Sequence, residues 1–162
     1  MEATKAAPVR RWAGVLATLM VLAVGLIVVD PSPKPARAAA CTGTSGVTVV
    51  VDFTAFGGGI QVRCALGDPA TGLAALQGAG FAVTGTARWG LAFVCRLDGL
   101  PTAATEPCLN TPPASAYWSY WHAPAGGSWS YSTLGATSYN PAPGTVEGWA
   151  FGSGGAPGIS PP

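Results

Sequence analysis

The sequence predicts an α+β fold, one short helix packed on a mainly antiparallel sheet, and three observations lead there. Residues 47–53, VTVVVDF, are a nearly continuous β-branched run, the pattern of a strand buried on both faces. One stretch, GDPATGLAALQGAGF, combines helix punctuation with an apolar pair at helical spacing. The other apolar segments are short and extended, bounded by Gly and Pro turns.

Taken in order, the first strand turns at Gly57–Gly59 and returns as IQVRCAL, which alternates apolar and polar positions. A Gly-rich turn that cradled phosphate would need a helix start and a lysine after it, and neither follows. In the helix Asp68 is the expected cap and Pro69 the first helical residue, with Leu73 and Leu76 on one face. Gly78 and Gly80 end it after about three turns. LAFVCRLDGLP, from Leu91, is a strand that stops at the Asp98–Gly99 turn. YWSYWH and SWSYS, separated by APAGG, form a hairpin, and TVEGWAF, from Thr145, is the last strand. A helix over a sheet in this order is β-grasp-like.

The chain ends carry other information. Arg10 and Arg11 precede an uncharged apolar run, Val15–Val29, and then small residues fit for a signal peptidase after Ala38 or Ala40. Residues 1–40 therefore read as a cleaved signal peptide, with retention as an anchor the alternative; the run is short of the ~20 residues a span needs. Export makes the four cysteines Cys41, Cys64, Cys95 and Cys108 a disulfide set. Of three connectivities, Cys41–Cys64 with Cys95–Cys108 is expected because each closes a local loop. Residues 41–151 form the expected domain, and 152–162, GSGGAPGISPP, the expected flexible tail.

Beyond residue 40 three arginines face five carboxylates and no lysine remains, a net charge of −2. Nucleic acid and acidic membrane surfaces need clustered cations, so neither is an expected partner.

The aromatic hairpin holds the candidate site. In an extended chain Tyr117, Ser119 and Trp121 share one face and Trp118, Tyr120 and His122 the other. A single helix covers only one face of a sheet. The rings left over pack under loops, meet a partner or hold a ligand. Trp118, Tyr120, Trp121, His122, Trp129 and Tyr131 are the candidate ligand contacts. No Gly-x-Ser-x-Gly elbow is present, nothing pairs two of the scattered carboxylates, and His122 is the sole histidine. The chain is read as not an enzyme, and no metal site is expected.

GLAALQGAGF, FVCRLDGLP, WSYW, GGSWSYSTLGA and GTVEGWAF occur in an order that resembles the transcobalamin-like C-terminal domain family, over most of residues 47–151. The chain is also similar to secreted actinobacterial proteins that end in VEGW. That family's fold is similar to soluble-ligand-binding β-grasp domains, and in the vitamin B12 carriers the domain covers one side of a bound cobalamin. The resemblance implies a small-ligand-binding module serving cobalamin or cobalt uptake, with a corrinoid as ligand and a membrane uptake system as partner. His122 would be a chemically suitable axial ligand to a corrinoid cobalt, although its plainer reading is a residue at the strand's rim. The departures are specific. Leu134-Gly135 stands where the family has Asn-Gly, the carriers' helical domain has no counterpart in these residues, and their binding residues do not map one by one. Two other readings stay open from the residues themselves: an adaptor that docks on a membrane transporter, and a carbohydrate-binding module.

Overall fold

The computed structural model describes Met1 and residues 39–162. The expected signal peptide lies outside them, apart from Met1, Ala39 and Ala40. Among the described residues no helix is long and apolar enough to cross a membrane.

The valine run forms strand β1 (Gly46–Asp52), buried at every position. A short 3-10 turn at Thr54–Phe56, closed by Gly57 in the left-handed region, returns the chain as β2 (Ile60–Leu66), antiparallel to β1. The last strand, β7 (Thr145–Gly152), lies parallel to β1 with Thr48 opposite Val146. Next to it runs β5 (Tyr117–Pro124), antiparallel, with the two-residue β6 (Ser130–Tyr131) at the edge. The order β2-β1-β7-β5-β6, parallel only at its centre, is β-grasp-like and the class is α+β. The β3 (Val83–Thr86) and β4 (Gly90–Leu97) ribbon stands apart as a second, two-stranded sheet.

Helix α1 (Gly72–Gly78) crosses the inner face, where Ala75, Leu76 and Ala79 join Val47, Val49 and Val51 in one core with Phe53, Phe81, Trp118 and Trp149. It starts later than the expected Asp68 cap. Thr71 is the cap, its Oγ1 accepting from the Ala74 N–H at 3.0 Å. The N–H groups of Gly72 and Leu73 donate to the carbonyls of Tyr139 and Ala136 at 2.8 and 2.9 Å. A loop distant in sequence thus satisfies donors that a helix start otherwise leaves open, and that selects Thr71 over Asp68.

Both disulfides take the expected pairing, Cys41–Cys64 and Cys95–Cys108. The first ties the segment before β1 to the edge strand. The second pins β4 to the Pro-containing loop. Loops of this length are each worth ~3 kcal/mol by chain entropy.

The outer face of the sheet corrects the expectation of a flexible tail. Residues 153–161 lie back across it. The Ser119 hydroxyl sits 2.9 and 2.8 Å from the carbonyls of Ala150 and Gly155, and Trp129 Nε1 donates to the Ile159 carbonyl at 2.7 Å. The Gly158 N–H donates to Asp52 Oδ2 at 2.8 Å, and the Gly126 N–H to the Pro161 carbonyl. Pro157 and Pro161 are buried. Burial pushes the Asp52 carboxyl up, but bonds from the Thr54 hydroxyl, the Gly158 N–H and the Thr54 N–H outweigh it and hold the group below its ordinary value. Gly148 makes the close fit possible, since a Cβ there would come within 2.6 Å of the Trp129 ring and 3.0 Å of Pro157.

Removing residues 153–162 is therefore expected to lower stability by about 2–4 kcal/mol, the scale of uncovering one or two large apolar side chains. Denaturant titration with dye binding checks it: an unchanged midpoint and no new dye-binding surface would show that the segment contributes nothing.

Candidate functional site

A cavity of about 310 Å³ opens on the inner face, between β5 and the β3–β4 ribbon. Trp118, Tyr120 and Trp149, from adjacent strands, supply its aromatic floor. Ala92, Phe93 and Val94 of β4 form one wall, and the loop from Ser132 to Ala136 the other. Tyr117 and Tyr131 stand at its margin with their hydroxyls 3.1 Å apart. The lining carries no ionisable group except these tyrosine hydroxyls and that of Tyr120. A concavity of ~300 Å³ is the lower bound of ordinary small-molecule sites.

Strand alternation explains the floor. Residues 118 and 120 of β5 and 149 and 151 of β7 point inward, so Trp118 meets Phe151 edge-on at 5.5 Å and Tyr120 stacks on Trp149 at 4.7 Å. Trp118 Nε1 is satisfied by the Leu100 carbonyl at 3.0 Å. Trp149 Nε1 is buried and has no partner.

Glu147 lies behind the floor, two residues before Trp149 on the same face, with no exposed surface. The Tyr120 hydroxyl donates to its Oε2, while its Oε1 has no partner. Burial pushes the Glu147 carboxyl up to about 8, partly opposed by the Tyr120 hydrogen bond. The same burial, with Glu147 beside it, raises Tyr120 far above an ordinary phenol, and burial with Glu147 raises Tyr139 as well. Gly72 opens α1 at this point because a Cβ there would collide with the Tyr120 hydroxyl and crowd Glu147 Oε2.

The six residues expected as one contact surface divide between two places. Trp118, Tyr120 and Tyr131 line the cavity. Trp121, His122 and Trp129 do not. Trp121 is half-buried, edge-on to Tyr131 at 5.1 Å, with Nε1 donating to Ser119 Oγ at 3.0 Å. Trp129 is held under the C-terminal segment, and His122 stacks on Tyr139 at 4.5 Å. Sequence reasoning missed Tyr117, Trp149, the β4 residues and the 132–136 loop. Trp149 carries a signal in strand alternation, being the cross-strand partner of Tyr120; Tyr117, which alternation sets on the face opposite Trp118, and the others reach the site only through tertiary packing. Among the described residues, the one close grouping of metal-ligand types is Cys95, Glu106 and Cys108, and its two sulfurs are bonded to each other.

A family model described as SCO2322-like domain matches residues 111–157, the stretch that holds β5, β6, β7 and the first residues of the C-terminal segment. Neither the curated proteins nor the solved structures contain a match to the chain.

The buried carboxyl predicts a pH dependence. In the unfolded chain Glu147 titrates near 4.5 and in the folded protein near 8, so the folded state holds the extra proton between those values. Its contribution is complete below pH 4.5 and is lost as pH rises through 8, at up to about 1.4 kcal/mol per pH unit. Glu147→Gln keeps an acceptor for Tyr120 and is expected to flatten that decline in denaturant midpoints. An equal slope in both proteins would count against the buried-carboxyl assignment.

Proposed function

We propose that the chain is an exported, non-catalytic module that binds a small ligand in the cavity between β5 and the β3–β4 ribbon. The observation that carries this reading is a concavity of about 310 Å³ whose floor is three aromatic rings from neighbouring strands. Rings in an α+β domain of this size ordinarily interlock with the rest of the core. Here Trp118, Tyr120 and Trp149 pack on that core by one side and border open space by another. The two disulfides fit an oxidising compartment and support the exported reading.

Corrinoid uptake is the specific form that the family resemblance favours. A corrin ring with its side chains is too large for 310 Å³, so a corrinoid would rest across the margin at Tyr117 and Tyr131 with only an edge group inside. His122, stacked on Tyr139 and outside the cavity lining, is not in that arrangement's path. Docking on a membrane transporter is the second reading, favoured by the exposure of Trp89 (51%), Leu134 (51%) and Leu109 (60%). Carbohydrate stacking has less support, because Trp121 and Tyr131 meet at 89° and offer no shared plane.

Calorimetric and fluorescence titration of the oxidised protein with cobinamide and cobalamin tests the corrinoid form. Saturable binding that weakens at least about tenfold in Ala92→Phe is expected, because the added ring enters the cavity from an exposed wall position. Binding that Ala92→Phe leaves unchanged would move the site elsewhere. No binding at millimolar corrinoid would remove that ligand class and leave the cavity to a smaller molecule.

A further inference from the structure

The cavity lies where a strand ladder stops short. β6 pairs with β5 at Trp121–Tyr131 and His122–Ser130, and the Ser132 N–H donates to the Tyr120 carbonyl at 2.9 Å. Tyr120 therefore turns its main-chain N–H and C=O toward β6. In an antiparallel ladder alternate residues direct these groups the same way, so Trp118 turns its own to that side too. Its register partner would be Leu134. The chain leaves the ladder first, and the Ser132 hydroxyl donates to the Leu134 carbonyl at 2.8 Å within the 132–136 loop. Among the described residues nothing hydrogen-bonds to the N–H or C=O of Trp118. One step farther along, the Ala116 N–H is taken by the Pro113 carbonyl at 2.9 Å, so the open position is bounded on both sides.

The lining places this gap in the cavity. Trp118 and Leu134, the two residues that an uninterrupted ladder would pair, both border it. Tyr117 and Trp118 are consecutive and point to opposite faces of the sheet, yet both line the same space. Tyr120 joins them from the inner face and Tyr131 from the outer. A space that touches both faces of a strand runs past its edge, and the edge of β5 here is the main chain of Trp118.

What completes such an edge is another main chain. A residue paired with Trp118 would make both bonds, its N–H to the Trp118 carbonyl and its C=O to the Trp118 N–H. Its side chain would share the inner face with Trp118, against the aromatic floor and beside Phe93 and Val94 of β4, where an apolar group fits. The lining has no Asp, Glu, Lys, Arg or His to meet a charged chain end, which favours the interior of a segment over its terminus. The volume, about ten waters at ~30 Å³ each, has room for one such residue with its flanking amides.

We propose that the cavity binds an extended peptide segment by strand addition, with one uncharged, apolar residue in the place opposite Trp118 that Leu134 leaves open. The inference rests on the small-ligand reading above and names peptide main chain as the ligand's chemistry.

N-acetyl-leucine N-methylamide is a minimal probe that carries the required N–H, C=O and side chain. Its analogue methylated on the leucine nitrogen lacks the donor, and N-acetyl-leucine ends in a carboxylate. Each would be titrated into the full chain while ¹H–¹⁵N correlation spectra follow the Trp118 main-chain amide, assigned by sequential triple-resonance spectra. The blocked leucine is expected to bind at least about threefold more tightly than either relative. It should also move the Trp118 amide proton downfield and slow its exchange with solvent. Ala92→Phe, which fills the cavity from β4, should weaken that binding. Equal binding of the blocked leucine and its N-methylated form, with the Trp118 amide unmoved, would overturn strand addition and leave the small-ligand site standing. Tightest binding of the carboxylate would overturn the assignment to a segment's interior. No shift of any cavity resonance at millimolar blocked leucine would overturn the inference as well, while the corrinoid titration tests the small-ligand reading separately.

Discussion

The parallel pairing of β1 with β7 is the constraint on which the rest of the fold depends. It sets the first and last strands side by side at the centre of the sheet, each with an antiparallel neighbour beyond it. Central strands must be covered on both faces, and the residues do this asymmetrically. The inner face takes α1 and the aromatic core. The outer face has no helix, and the chain covers it with the segment that leaves β7. Residues 153–161, continuing from β7, fold back over that face to reach Asp52, Ser119 and Trp129. The pairing of the chain's ends thus supplies the second layer without a second helix.

That arrangement also decides which rings border open space. Side chains from β5 and β7 alternate between faces, so Trp118, Tyr120, Glu147 and Trp149 all turn inward while Ser119 and Gly148 turn outward. Inward residues near β1 are covered by α1. Those farther out pass beyond the seven-residue helix and rely on the β3–β4 ribbon and the 132–136 loop, which are not part of the main sheet. The cavity sits where that substitute cover is incomplete. It is a consequence of a short helix on a five-stranded sheet.

Much of this was legible in the residues, and what was not has identifiable causes. The continuous valines of β1 reported burial on both faces because no polar side chain interrupts Val49–Val51, and the cysteines reported local loops by their spacing. Alternation in YWSYWH separated the rings correctly into two sets, but could not say which set met the core; that depends on the side from which α1 approaches. The helix cap was misplaced by three residues because Asp68 and Thr71 are both competent caps, and carbonyls of Ala136 and Tyr139 choose between them. The C-terminal segment was misread because its Gly and Pro content offers little to bury. Its adhesion comes from backbone groups: a carbonyl to Ser119, a carbonyl to Trp129 and an N–H to Asp52. Composition does not register that kind of contact.

The Glu147–Tyr120 pair remains to be accounted for. A carboxyl with no exposed surface and one oxygen unpartnered is a cost to the fold. An apolar residue of similar volume would pack there without it, and Gly72 gives up a side chain at a helix start to leave it room. Structural economy does not explain such an arrangement. What the pair does physically is fix the Tyr120 ring, since its hydroxyl is bound at the far end and its face is stacked on Trp149. Local costs of this kind are concentrated at sites that bind or react, and here the cost lies directly behind the aromatic floor of the cavity.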